Sequence, residues 1–87
     1  MFKRGNIVEI IRGYEGSVND PDVGKTCVMY ESKQVGNDIR YGIVDCATGL
    51  GSAWWREDRL EFVAEGGEED IRKALEKRKE TLGEKHA

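Results

Sequence analysis

Apolar and polar residues alternate with a period of two through most of the first two-thirds of the chain. In Asn6-Ile7-Val8-Glu9-Ile10-Ile11, Val8 and Ile10 share a face with Asn6, while Ile7, Glu9 and Ile11 take the other. That β-branched run, Ile7–Ile11, predicts a first strand. Thr26, Val28 and Tyr30 alternate with Cys27, Met29 and Glu31, which predicts a second strand over Lys25–Glu31. Ile39, Tyr41 and Ile43 fall on one face of a third strand, Ile39–Cys46. Ser52–Arg56 and Leu60–Val63 read as a fourth and a brief fifth, and polar Glu57-Asp58-Arg59 between them suits a single helical turn.

Turn residues separate these segments. Gly36-Asn37-Asp38 and Thr48-Gly49-Leu50-Gly51 are short turns. Gly13 to Gly24 is a longer loop, about a dozen residues rich in Gly, Asn, Asp and the single Pro. Loops of this length are uncommon in compact domains and often carry function. Five short strands in so few residues predict a mainly β fold, a small five-stranded antiparallel barrel, because closure removes exposed sheet edges.

The period changes after Glu65. Gly66-Gly67 reads as a flexible joint, and Glu68-Glu69-Asp70 puts negative charge where a helix N-terminus favours it. Ile71, Leu75, Arg78 and Leu82 follow at spacings of four, three and four, and Gly83 is a stop signal. These signals predict one helix over 68–82, in a C-terminal segment 65–87 that follows a barrel in 1–64. Its apolar stripe has two destinations, the barrel or a second copy of the chain in a homodimer. Two heptads are too short to associate alone, which favours docking on the barrel.

Composition narrows the partners. The 87 residues hold 14 Lys+Arg and 17 Asp+Glu, a formal net charge of −3. Residues 1–63 carry 8 basic and 10 acidic side chains, and 64–87 carry 6 and 7, so neither part has a basic excess, though a local basic patch stays open. That disfavours non-specific nucleic-acid binding, which depends on neutralising phosphates. No apolar stretch approaches the roughly 20 residues of a membrane span. Met1-Phe2-Lys3-Arg4 is followed by no apolar core and no small-residue cleavage site, so no secretory signal is expected. A reducing cytoplasm, with Cys27 and Cys46 as free thiols, is the expected setting.

No reactive constellation is visible. The single histidine, His86, is penultimate, where acid–base geometry is hard to fix. Gly49-Leu50-Gly51 lacks the strand–loop–helix setting of a phosphate site. Cys27 and Cys46, on different strands, could meet as a metal or redox pair, but zinc wants two further ligands and none is spaced nearby. They suit buried small apolar positions better. Glu15, Asn19, Asp20 and Asp22 make the long loop oxygen-rich, yet Pro21 and Gly24 break a calcium-loop pattern. The expectation is no catalytic residue, no metal and no cofactor.

Trp54-Trp55 is the most informative pair. Adjacent strand residues point to opposite faces, so one Trp fills the core and the other looks outward. A large outward aromatic marks an interaction site unless the chain covers it. The candidate covers are the C-terminal helix, through Ile71, Leu75 and Leu82, and a second copy of the chain. Arg56 and Arg59 could frame an aromatic–cationic patch for a carboxylate or phosphate. Tyr14, Trp54, Trp55, Arg56 and Arg59 are therefore the candidate partner-binding residues.

The chain resembles a known family in three places. Gly5-Asn6-Ile7-Val8 looks like the opening of the first strand in small SH3-like β-barrels. Val23-Gly24-Lys25-Thr26-Cys27-Val28 is similar to the glycine-led second strand of their KOW-type members. Ser52 to Val63 resembles their ending, a polar one-turn helix before a last short strand. The resemblance covers about residues 5–63 and implies a small bacterial or phage SH3-like barrel. Ribosomal KOW domains are basic, whereas this chain is acidic. Together these readings lead to a non-catalytic module that binds a protein partner through an aromatic patch and the long loop, with an inhibitor encoded by a phage or mobile element as a special case. The alternative is a nucleic-acid-binding barrel on which Lys3, Arg4, Lys25, Lys33, Arg40, Arg56 and Arg59 converge.

Overall fold

The computed structural model describes residues 1–83; His86 lies outside the described residues. In chain order the elements are β1 (Ile7–Ile10), β2 (Thr26–Val35), β3 (Asp38–Asp45), β4 (Gly51–Arg56), a 3-10 turn (Glu57–Arg59), β5 (Leu60–Ala64) and α1 (Glu68–Gly83). The protein is mainly β. Five antiparallel strands form one sheet in the order β4-β3-β2-β1-β5, and a C-terminal helix follows.

The alternation read from the sequence sorts side chains between the two faces. Val8 and Ile10 from β1, Cys27 and Met29 from β2, Tyr41 and Ile43 from β3, Trp55 from β4 and Leu60 from β5 form one buried cluster. Since all five strands feed it, the sheet curls until its two outer strands share a core. It does not close by hydrogen bonds. β4 pairs with β3 and β5 pairs with β1, but β4 and β5 do not pair with each other. The reason is the three-residue helical turn, which leads β5 across to β1 rather than reversing it alongside β4. The expected five-stranded curled sheet is present; the closing ladder is replaced by this crossing of the chain.

β2 runs further than the alternation predicts, to Val35 rather than Glu31. Ser32, Lys33 and Gln34 carry no apolar pattern, yet they pair with Tyr41, Arg40 and Ile39. Backbone pairing and a tight Gly36-Asn37 turn, with Gly36 at φ +61°, hold this polar arm. The register slips between Met29 and Glu31, leaving Tyr30 as an extra residue. Its ring packs against Gly42, where a Cβ would lie 2.9 Å from the Tyr30 ring.

The helix docks on the outer face of β2 and β3. Val28, Val44, Ile71 and Ala74 are buried together, flanked by Ile7, Tyr30 and Cys46. The stripe differs from the expected one: Ala74 is buried, Arg78 and Thr81 are half-buried, and Leu75 and Leu82 remain exposed. Close approach explains the rotation. Gly49, at φ +75°, lies so near the helix backbone at Ala74 and Arg78 that a Cβ would overlap it. Only the small Ala74 fits there. Arg78 Nε donates to the Gly49 carbonyl (2.8 Å) and Thr81 Oγ1 to the Thr48 carbonyl (2.7 Å). The Gly66-Gly67 segment is packed against Gly5 rather than standing free as a joint. A Cβ on Gly5 would meet the Gly67 Cα at 2.8 Å. Asp70 accepts the Gly67 N–H at 2.9 Å, which caps the helix start.

Candidate interaction surface

Strand alternation divides the expected patch in two. Trp55 points inward and is 3% exposed. Its indole N–H donates to Ser52 Oγ at 2.9 Å, and its ring meets Tyr14 edge-on with centroids 5.3 Å apart. Tyr14 thereby anchors the long loop over the end of the core while keeping 47% of its surface in water.

Arg59 serves the same loop. Its guanidinium lies against Gly16, where an added Cβ would be 3.1 Å from Nη2, and Nη1 donates to Asp58 at 2.7 Å. The Arg59 carbonyl accepts the Ile11 N–H. The loop also binds itself, Gly13 N–H to Ser17 O and Asp22 N–H to Asp20 Oδ1, and Gly24 N–H ties its end to the Ile10 carbonyl of β1. The Asp22 carboxylate pairs with Lys25 at 2.7 Å, and among the described residues no three His, Cys, Asp or Glu converge as a metal site. Tyr14, Trp55 and Arg59 thus support a structured loop, and Trp54 and Arg56 lie on the opposite face of the sheet.

That outer face holds a feature with no signal in the linear sequence. Lys33 is directly opposite Arg40, and Arg40 is directly opposite Arg56. The three cations form a row across three adjacent strands, which lie about 4.8 Å apart. Like charges in register repel, so the row costs stability unless something answers it. Little within the chain does. Arg56 Nε reaches Asp58 at 3.3 Å. Among the described residues Lys33 and Arg40 make no ion pair, and Arg40 Nε is buried without a hydrogen-bond partner. Trp54 lies beside the row, half-buried, with Lys33 Nζ 4.4 Å from its ring centroid. The helix expected to cover the outward Trp sits instead over Val28 and Val44, so Lys33 is its cover. The cations named for the alternative reading do not all converge. Arg4 is bound to Glu68, Lys25 to Asp22 and Arg59 to Asp58.

The two cysteines lie on opposite faces. Cys27 is in the interior cluster and Cys46 borders the helix. Both are free thiols, so sheet alternation separates the pair that the sequence left open. Burial pushes the Cys27 thiol up to about 12, with Asp45 adding to the effect, and burial raises Cys46 as well. Neither favours the reactive thiolate. Among the described residues no helix is long and apolar enough to cross a membrane.

No protein-family model matches this chain, and no curated protein or solved structure matches it.

Proposed function

We propose that the protein is a non-catalytic interaction module whose outer sheet face, built from Lys33, Arg40, Trp54 and Arg56, binds an acidic segment of a partner protein. The in-register row of three cations carries this reading. Repulsion along the row is relieved when carboxylates bridge it, and Arg guanidinium groups accept them in bidentate fashion. Trp54 supplies the apolar anchor, since Trp and Arg are the residues most enriched at binding hot spots. Lys33 would exchange its contact with the ring for one with the partner.

The same surface has a second reading, a single-stranded nucleic acid stacked on Trp54 with phosphates on the row. The row is short and the whole chain is negative at −3, so the long-range field opposes a polyanion. An acidic peptide carrying few charges suffers less. The resemblance to SH3-like barrels fits both readings, because such barrels serve many roles. A reducing cytoplasm suits the two free thiols. Binding of a Glu-rich peptide and of an oligothymidylate of equal charge, measured by Trp fluorescence at two salt concentrations, separates the readings. The peptide is expected to bind more tightly. Tighter binding of the oligonucleotide, with a steep salt dependence, would favour nucleic acid.

A further inference from the structure

The unclosed side of the sheet is a second surface of opposite character. A cleft of about 710 Å³ lies between β5, the 3-10 turn, the tip of the β2–β3 hairpin and the N-terminal residues. Phe2, Ile39, Leu60 and Phe62 give it an apolar floor. Asp38, Glu57, Asp58 and Glu61 line it with acid, against two cations among the described residues, Arg56 and the Met1 ammonium, which lies 3.6 Å from Glu57 Oε1. Glu57 already accepts the Tyr41 hydroxyl at 2.7 Å, and Asp58 holds Arg56 and Arg59. Asp38 and Glu61 make no ion pair among the described residues.

β5 borders this cleft as an edge strand. Among the described residues it pairs only with β1, so its other edge offers backbone donors and acceptors to an incoming strand. Natural edge strands are usually blunted by charge or proline. β5 instead exposes Phe62 at 50% and Val63 at 52%. An exposed, apolar, unpaired edge is where another chain adds a strand.

We infer that β5 and its cleft capture an extended segment of a partner protein in which apolar and basic residues alternate. The segment pairs its backbone with β5. One face of its pleat sets apolar side chains on Phe2 and Phe62, and the other turns Lys or Arg toward Asp38 and Glu61. Charge decides the occupant. A second copy in a two-fold pairing would bring this acid-rich rim against itself, and like charges at short range oppose that. This surface lies apart from the cationic row save for Arg56, and the inference does not depend on that row's function.

The test uses the isotope-labelled full chain and two synthetic peptides, one of alternating valine and lysine, the other of alternating valine and glutamate. The Val-Lys peptide is expected to shift the amides of Leu60–Ala64 and slow their hydrogen exchange. The variants Phe62→Asp and Asp38→Lys/Glu61→Lys are each expected to weaken it roughly fivefold or more. Both substitutions are at exposed positions, and unchanged Trp55 fluorescence confirms that the variants fold. Val-Glu shifts at Leu60–Ala64 as large as those of the Val-Lys peptide, Val-Lys shifts centred on Lys33 and Trp54, or no Val-Lys shifts at β5 would overturn the inference. So would concentration-dependent dimerisation of the chain that Phe62→Asp abolishes.

Discussion

The ammonium of Lys33 stands 4.4 Å from the centre of the Trp54 ring, on the face of the sheet opposite to Trp55. One chain step therefore separates a core tryptophan from a surface one whose only described capping group is a mobile type of side chain. Cation–π contacts at such sites are worth about 0.5–1 kcal/mol, which a partner can outbid.

The two tryptophans should separate cleanly. Trp55→Ala removes a buried ring and its bond to Ser52, and is expected to lower stability by about 3–5 kcal/mol in urea unfolding. Trp54→Ala should lower it by about 1 kcal/mol or less. Acrylamide should quench a Trp55→Phe variant, which keeps Trp54, more strongly than a Trp54→Phe variant.

The cationic row predicts a trade between stability and binding. Arg40→Gln removes the central charge, and is expected to raise stability by a few tenths to about 1 kcal/mol while weakening acidic-peptide binding. Urea unfolding and fluorescence titration of the same variant check both halves. Loss of stability with unchanged binding would mean that Arg40 serves packing alone.

Cysteine chemistry tests the sheet alternation. Mild oxidation is expected to leave Cys27 and Cys46 without an intramolecular disulfide, and alkylation followed by mass spectrometry should label half-buried Cys46 before buried Cys27. The pH profile follows from the raised Cys27 value. Above pH 9 the unfolded chain loses the thiol proton, while the folded chain keeps it to about 12. Stability contributed by the neutral thiol is therefore complete below pH 9 and falls as pH rises through that window. Tyr41, raised by burial and then by its bond to Glu57, falls off in the same direction. Cys27→Ala should give a shallower alkaline loss than the parent chain.

Helix docking depends on Gly49. Gly49→Ala adds a methyl group where the α1 backbone lies, at a positive φ that disfavours any side chain. It is expected to cost about 2 kcal/mol or more and to increase hydrogen exchange across α1. Leu75→Ala, at an exposed position, should change little.

Strand alternation made the sorting into faces legible: Val8 with Ile10, Cys27 with Met29 and Tyr41 with Ile43 follow from period two, but which face of β2 meets the main cluster does not, since Val28 is buried on the other side. The helix start was legible too, from the acidic residues Glu68-Glu69-Asp70. The helix face was not, because Leu75 and Leu82 outweigh Ala74 in any hydrophobic pattern, and only the contact with Gly49 reveals that a small residue must face the sheet. The polar arm of β2 was hidden for a related reason, since pairing rather than burial holds it. The row of Lys33, Arg40 and Arg56 is a property of register. These residues lie 7 and 16 positions apart in the chain, and nothing in the linear order makes them neighbours. The expected patch grouped Tyr14 and Arg59 with Trp54 because residue type marks aromatic and cationic side chains, whereas the face each one takes is set by the fold.

The most direct measurement is an amide and indole NMR titration of the full chain with a Glu-rich peptide. Shifts concentrated at Lys33, Arg40, Arg56 and the Trp54 indole, with the Trp55 indole unmoved, are the expected result. A titration that moves Tyr14 and Trp55 while leaving the cationic row untouched, or that moves nothing, would contradict the account.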